Sequence, residues 1–141
     1  MTRPSDAAVL AWTRLLRAHD AALGRVETAL KEAGLPPLDW YDVLLELERG
    51  GPLRPRELQD RLLVAQYNLS RLLDRLVQAG LVSREPCPED GRGHIVAATE
   101  EGRALRSRMW PVYAEAIQAA LGERLSEAEA ATLADLLRRL L

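Results

Sequence analysis

Apolar positions recur at helical spacing along most of the chain, and Pro/Gly clusters interrupt them. The first stripe is Ala8, Trp12, Leu15, Leu16, Leu23, Val26 and Leu30, with His19 in register. It predicts a helix capped by Ser5 and ended by Gly34, roughly 40 Å long at 1.5 Å per residue. That is more length than a small domain usually buries against itself. Pro36-Pro37 breaks it. Asp39 is then expected to cap a second helix, Trp40 to about Glu48, with Trp40, Val43, Leu44 and Leu47 inward. Gly50-Gly51-Pro52 stops that helix, and Leu53-Arg54 has the character of a short strand. Pro55 suits the first position of a third helix, and Glu57 can reach back to its N-terminus. Leu58, Leu62 and Leu63 are its expected buried residues.

The centre of the chain changes pattern. Leu69, Leu72, Leu73, Leu76 and Val77 define one face of a helix from about Ala65 to Ala79, and Gly80 ends it. Tyr67, Ser70, Arg71, Asp74, Arg75 and Gln78 lie opposite. Leu81 to Glu85 and His94 to Ala98 extend as strands around Pro86-Cys87-Pro88-Glu89-Asp90-Gly91-Arg92-Gly93, whose prolines and glycines exclude helix. A helix followed by a small hairpin with an arginine at its tip is a winged-helix pattern, and Leu53-Arg54 is placed to pair with the wing. Thr99 then caps a long helix to about Leu121, and Pro111 predicts a kink near Ser107 to Met109. After Gly122, Ser126-Glu127-Ala128-Glu129 reads as a capping box. The final helix carries Ala130, Leu133, Leu136, Leu137 and Leu140.

The run from Asn68 to Val82 resembles the recognition helix and first wing strand of the MarR family of bacterial transcriptional regulators. Asp90-Gly91-Arg92 resembles that family's D-x-R wing motif, and Thr99-Glu100-Glu101-Gly102 its T-x-x-G. Two departures stand out. The family often caps its two helix-turn-helix helices with Ser or Thr, where this chain has Arg54 and Ala65; each lost cap would cost about 1 kcal/mol. Ala98 also stands where Leu is frequent. The resemblance implies a mainly α protein with a small β wing: six helices, a winged helix-turn-helix, and terminal helices forming a two-fold dimer. One domain would span 1–141, with 5–34 and 103–141 as dimerisation helices and 38–102 as the DNA-binding lobe. The apolar stripes point the same way, because three leucine-rich helices sit at the ends of a chain too short to cover them all.

Composition narrows the class. The chain has 141 residues, 48% hydrophobic and 28% charged, which suits one ordinary globular domain. It has no run of eighteen or more apolar residues, and its N-terminus does not read as a signal peptide. One cysteine makes no internal disulfide, which suits a reducing cytoplasm. The net charge of −2 argues at first against nucleic acid. Its distribution is −2 over residues 1–53, +1 over 54–92 and −1 over 93–141. The support from charge therefore lies in placement: Arg71, Arg75, Arg84 and Arg92 fall on the helix face and wing.

These residues form the candidate DNA-binding set, with Gln66, Tyr67, Asn68, Ser70, Asp90 and His94 beside them. A recognition helix presents its N-terminal residues to base edges in the major groove. Arg71 is suited to guanine and Asn68 to adenine. Arg75 is expected on the DNA backbone or paired with Asp74 or Asp90. Arg92 is placed for the minor groove, with Asp90 pinning it or the turn. Each of these also has a plain reading as part of a solvated face or charged turn. Leu133, Leu136, Leu137 and Leu140 are the expected dimer contacts. Trp12, His19, Trp40, Tyr41 and Tyr113 are candidates for an effector pocket, since the resemblance implies small aromatic or phenolic ligands; core packing explains them as well.

The expected partners are double-stranded DNA, a second copy of the chain and such an effector, with no membrane, metal or cofactor. No nucleophile elbow, P-loop or dinucleotide motif supports an enzyme, and two distant histidines with one cysteine make no zinc site. The reading is a ligand-responsive repressor on a pseudo-palindromic operator. The alternatives are a redox-sensing regulator using Cys87, with Arg84 and Arg92 as the only cations near its thiol, and a winged-helix protein-interaction module.

Overall fold

The computed structural model describes residues 2–87, 89 and 93–141. Among these, six α-helices and a two-stranded antiparallel sheet follow one another as α1 (Asp6–Glu32), α2 (Leu38–Gly50), α3 (Pro55–Arg61), α4 (Leu69–Gln78), β1 (Val82–Pro86), β2 (His94–Ala98), α5 (Glu100–Ile117) and α6 (Glu127–Arg138). A π-helical turn, Gln118–Gly122, separates α5 from α6.

The core lies where α2, α4, the sheet and the first half of α5 meet. Leu44, Leu47, Leu58, Leu72, Leu73, Leu76, Val96 and Met109 are buried there. Only the C-terminal half of α1 joins this core, through Val26 and Leu30. Its N-terminal half leaves Val9, Leu10, Trp12 and Leu16 exposed, and α6 has no buried residue. The long first stripe is therefore real, but one copy of the chain does not cover it.

Local signals account for most helix ends. Ser5 accepts the Ala8 N–H at 3.1 Å. Thr99 Oγ1 accepts the Gly102 N–H at 3.1 Å and donates to the Gly80 carbonyl at 2.7 Å, so one hydroxyl joins the end of α4 to the start of α5. Gly80 stands at φ 77°, a left-handed conformation that glycine tolerates. Ser126 and Glu129 form the reciprocal capping box, at 3.1 and 2.9 Å. Glu57 accepts the Arg54 N–H at 3.0 Å, which offsets part of the missing Ser/Thr cap of α3. Leu53 pairs with Val96 through two backbone bonds of 3.0 and 2.8 Å, adding the expected short strand beside the wing.

Five expectations need correction. Helix α2 starts at Leu38, with Pro37 rather than Asp39 at its cap. Glu27 of α1 takes the Leu38 N–H at 2.7 Å, so a neighbouring helix performs the capping. Within α2, Tyr41 is buried and Trp40 only partly so. Helix α4 starts at Leu69, four residues later than the apolar pattern implies, and its cap is Asn68 rather than Ala65. Leu63, expected to be buried, is 81% exposed in the turn before α4. The helix stays regular through Ser107 to Met109; the irregular turn comes later, at Gln118–Gly122. Pro111 frees the carbonyl four residues back. That residue, Ser107, is exposed, where water can satisfy it.

Candidate nucleic-acid interface

Helix α4 has two distinct faces. Leu69, Leu72, Leu73 and Leu76 are buried against the core, while Ser70, Arg71, Asp74 and Arg75 are exposed. The helix is short because its N-terminus is decided by side chains. Asn68 Oδ1 accepts the Arg71 N–H at 3.2 Å. That bond engages the oxygen a bidentate adenine contact would need, and leaves the amide nitrogen as the donor. Tyr67, one residue earlier, is fully exposed. Gln66 is tied down: its Nε2 donates to Asp39 Oδ2 at 3.2 Å, and its carbonyl accepts from Gln59 Nε2 at 3.2 Å.

The wing is held against this helix. Arg84 on β1 pairs with Asp74 on α4, Nη1 to Oδ1, at 2.6 Å. The partner of Asp74 is thus Arg84; Arg75 and Arg71 make no ion pair among the described residues. The sheet register sets Arg84 opposite Val96 and Pro86 opposite His94. Val82, Val96 and Ala98 turn inward, while Arg84 and His94 stay exposed. Asp90 and Arg92 lie outside the described residues. The exposed part of the candidate set, among the described residues, is therefore Tyr67, Asn68, Ser70, Arg71, Arg75, Arg84 and His94, on α4, its preceding turn and the two strands.

Cys87 is buried, and Arg54 Nη2 donates to its Sγ at 3.0 Å. Among the described residues the cation beside the thiol is Arg54, which also pairs with Glu89 at 3.7 Å, rather than Arg84. Sequence reasoning missed Arg54 because its neighbour lies on another element.

The effector candidates divide. Tyr41 and Tyr113 meet edge to face with centroids 5.0 Å apart. Trp110, not among the candidates, completes the group at 5.8 Å from Tyr113 and 6.4 Å from Tyr41. Its spacing of three residues before Tyr113 on one helix was the available signal. Burial, then the nearby Asp42 carboxylate and Tyr41, push the Tyr113 hydroxyl above its ordinary range. Trp12 and His19 stand exposed on α1, with His19 facing Asp20 at 3.4 Å. An open cleft of about 740 Å³ lies between α1 and α5, lined by Gly24, Thr28, Ala29, Val112, Ala116 and Ala119 among others, and contains none of the five candidates.

Comparison with known proteins turns this geometry into a family. The MarR family model matches residues 33–93, from the end of α1 into the wing. The multiple antibiotic resistance protein MarR of Escherichia coli K12 is 35% identical over 111 residues, covering 76% of this chain and 77% of its own. The chain belongs to the MarR family. Two solved structures extend the likeness over the whole MarR fold. Sco3205, a MarR family transcriptional regulator from Streptomyces coelicolor in complex with DNA, superposes with a TM-score of 0.88 at 25% identity, covering 99% of this chain and 89% of that one. A cysteine-to-serine mutant of E. coli MarR complexed with operator DNA gives 0.82 at 28% identity, covering 94% and 95%. Among the described residues of this MarR-family chain, no helix is long and apolar enough to cross a membrane, and no group of metal-binding side chains is present.

Proposed function

We propose that this chain is a DNA-binding transcriptional regulator that works in the cytoplasm as a homodimer, placing one α4 on each half of a pseudo-palindromic operator. The observation that carries this is the two-faced α4: four buried leucines fix its inner side, and Arg71, Arg75, Ser70 and Tyr67 stand exposed beside the wing. A fixed apolar face with an exposed polar face at the helix N-terminus suits insertion into a major groove. The DNA complexes of the two relatives support the same reading. Arg92, which the sequence places between β1 and β2, is proposed for the minor groove, as the D-x-R motif implies.

Dimerisation has separate support. Val9, Leu10, Trp12 and Leu16 of α1 and Leu136 and Leu140 of α6 are exposed. These are apolar positions that one copy of the chain leaves uncovered and a second copy can cover. In this reading 5–34 and 103–141 hold the dimer and 38–102 reads DNA. The regulator is further proposed to be a repressor released by a small aromatic or phenolic ligand. The cluster of Tyr41, Trp110 and Tyr113 supports this, and the α1–α5 cleft has the room of a ligand site.

The test is selection of duplexes by the full chain from a randomised library, followed by salt titration and footprinting. The expected result is an enriched site with two symmetric half-sites and an affinity that falls steeply with salt. Absence of salt-sensitive binding would remove DNA as the partner and favour a protein-interaction role.

A further inference from the structure

The turn of the helix-turn-helix, between α3 and α4, makes few bonds of its own. Among the described residues, no backbone–backbone hydrogen bond involves residues 63–67. Its anchor comes from α2. Asp42 is buried, and its Oδ2 accepts the Val64 N–H at 2.8 Å. The Leu63 N–H, one residue earlier, also favours the charged form of this carboxylate. One helical turn earlier, Asp39 Oδ2 accepts from Gln66 at 3.2 Å. Two carboxylates on one face of α2 thus hold two points of the turn, Val64 through its backbone and Gln66 through its side chain, and the turn ends at Asn68 where α4 begins.

Resting on the DNA-binding reading above, we propose that Asp42 is a positioning residue for DNA recognition: it clamps the Leu63–Val64 backbone to α2 and so sets where α4 begins and how it is presented to the groove. The clamp accounts for the late start of α4. Residues held in a bend against α2 cannot also wind into the helix that their apolar pattern permits. It also accounts for a carboxylate inside the protein. A buried carboxylate is costly unless it is hydrogen-bonded, and an apolar residue of similar size would pack there without that cost. A charged acceptor, however, holds amide N–H groups more strongly than a neutral one.

The surroundings of Asp42 oppose its charge. Burial raises its pKa most, and Glu46 and Asp39 on α2 add to that, against the Val64 and Leu63 N–H groups. Tyr113 of α5 also faces it. Because the folded pKa is raised, ionisation of Asp42 works against global stability as pH rises through that range. The clamp, in contrast, is strongest when Asp42 is ionised. Stability and DNA affinity therefore respond to this residue in opposite directions, which a merely structural role would not produce.

The experiment compares the wild type with Asp42→Asn and Asp42→Leu. The probes are the duplex of about 30 bp most enriched by the wild type from a randomised library, wide enough for two half-sites, and poly(dI-dC) for non-specific binding. Amide hydrogen exchange is followed on the same proteins without DNA. Asp42→Leu is expected to exchange faster at residues 63–66 than the wild type while the α2 and α5 core stays protected. It should lose about tenfold in selected-duplex affinity, by roughly the loss of one charge-assisted bond, with poly(dI-dC) binding unchanged. Asp42→Asn keeps one acceptor oxygen, so it should recover part of that affinity, melt no lower than the wild type, and lack the wild type's fall in affinity as Asp42 protonates. Faster exchange throughout the core, or equal affinity in all three proteins, would overturn the clamp while leaving DNA binding in place. A wild type that shows no salt-sensitive binding to any duplex would overturn both.

Discussion

Arg84 Nη1 lies 2.6 Å from Asp74 Oδ1, and this ion pair joins the wing to the recognition helix. The two side chains are 31% and 56% exposed, so solvent screens the pair and its worth to folding is about 0–1 kcal/mol. Its consequence is geometric: it fixes the angle between two elements proposed to enter adjacent grooves. A double-mutant cycle with Arg84→Ala and Asp74→Ala is expected to show little coupling in thermal stability and clear coupling in DNA affinity. Coupling confined to stability would assign the pair to the fold alone.

Arg71 is exposed on the first turn of α4 and makes no ion pair among the described residues. Arg71→Ala should relax preference at one operator position, by about 1–3 kcal/mol if the guanidinium meets guanine bidentately. A loss that is uniform over all sequences would place Arg71 on phosphate instead.

Gly102 opens α5 where the chain has no room for a side chain. A Cβ there would run into the Leu81 carbonyl and press on Leu44. Both neighbours are fixed, since Leu81 O accepts the Thr99 N–H at 3.0 Å and Leu44 is buried. Gly102→Ala is expected to destabilise by about 1–3 kcal/mol, the usual cost of overpacking. Urea unfolding at neutral pH measures it, and an unchanged midpoint would show that the backbone gives way freely.

Ser126 and Glu129 begin α6 with a reciprocal cap. Ser126→Ala should cost about 1 kcal/mol. The backbone N–H and then the hydroxyl of Ser126 lower the Glu129 pKa. A lowered folded pKa means the stabilisation is present above the ordinary glutamate range and fades as pH falls through the folded value. The difference between wild type and Ser126→Ala should therefore narrow in acid. A gap that stays constant down to the acid limb would remove Glu129 from the cap.

Leu136 and Leu140 are exposed on α6, so aspartate at both positions leaves the monomer core intact. Leu136→Asp with Leu140→Asp is expected to yield a folded monomer in sedimentation equilibrium, because pairing with a second copy would now desolvate unpaired carboxylates. Protection of two half-sites should disappear with it. A double mutant that stays dimeric would move the interface toward α1.

The elements legible in the sequence are those whose causes lie within a few residues. The leucine face of α4, the caps at Ser5, Thr99 and Ser126, the stop at Gly80 and the hairpin strands all depend on spacings of four residues or fewer, or on one residue's backbone freedom. The polar face of the candidate site was legible for the same reason, since it is the complement of the leucine stripe. What the sequence left open depends on which distant segments meet. Asp42 reads as one more charge on α2 until the turn 22 residues later is laid against it. The apolar pattern allowed α4 to begin at Ala65; an anchor on another helix moved that start to Leu69. Asp74 had arginines on its own helix and on the wing within reach, and the sheet register brought Arg84 to it. Tyr41 and Tyr113 were named in one set with Trp12, His19 and Trp40; the packing of α2 on α5 brought these two together with Trp110 and left Trp12 outside. Periodicity specifies which face of an element is apolar; only tertiary packing decides what that face, and the polar groups at its edge, will touch.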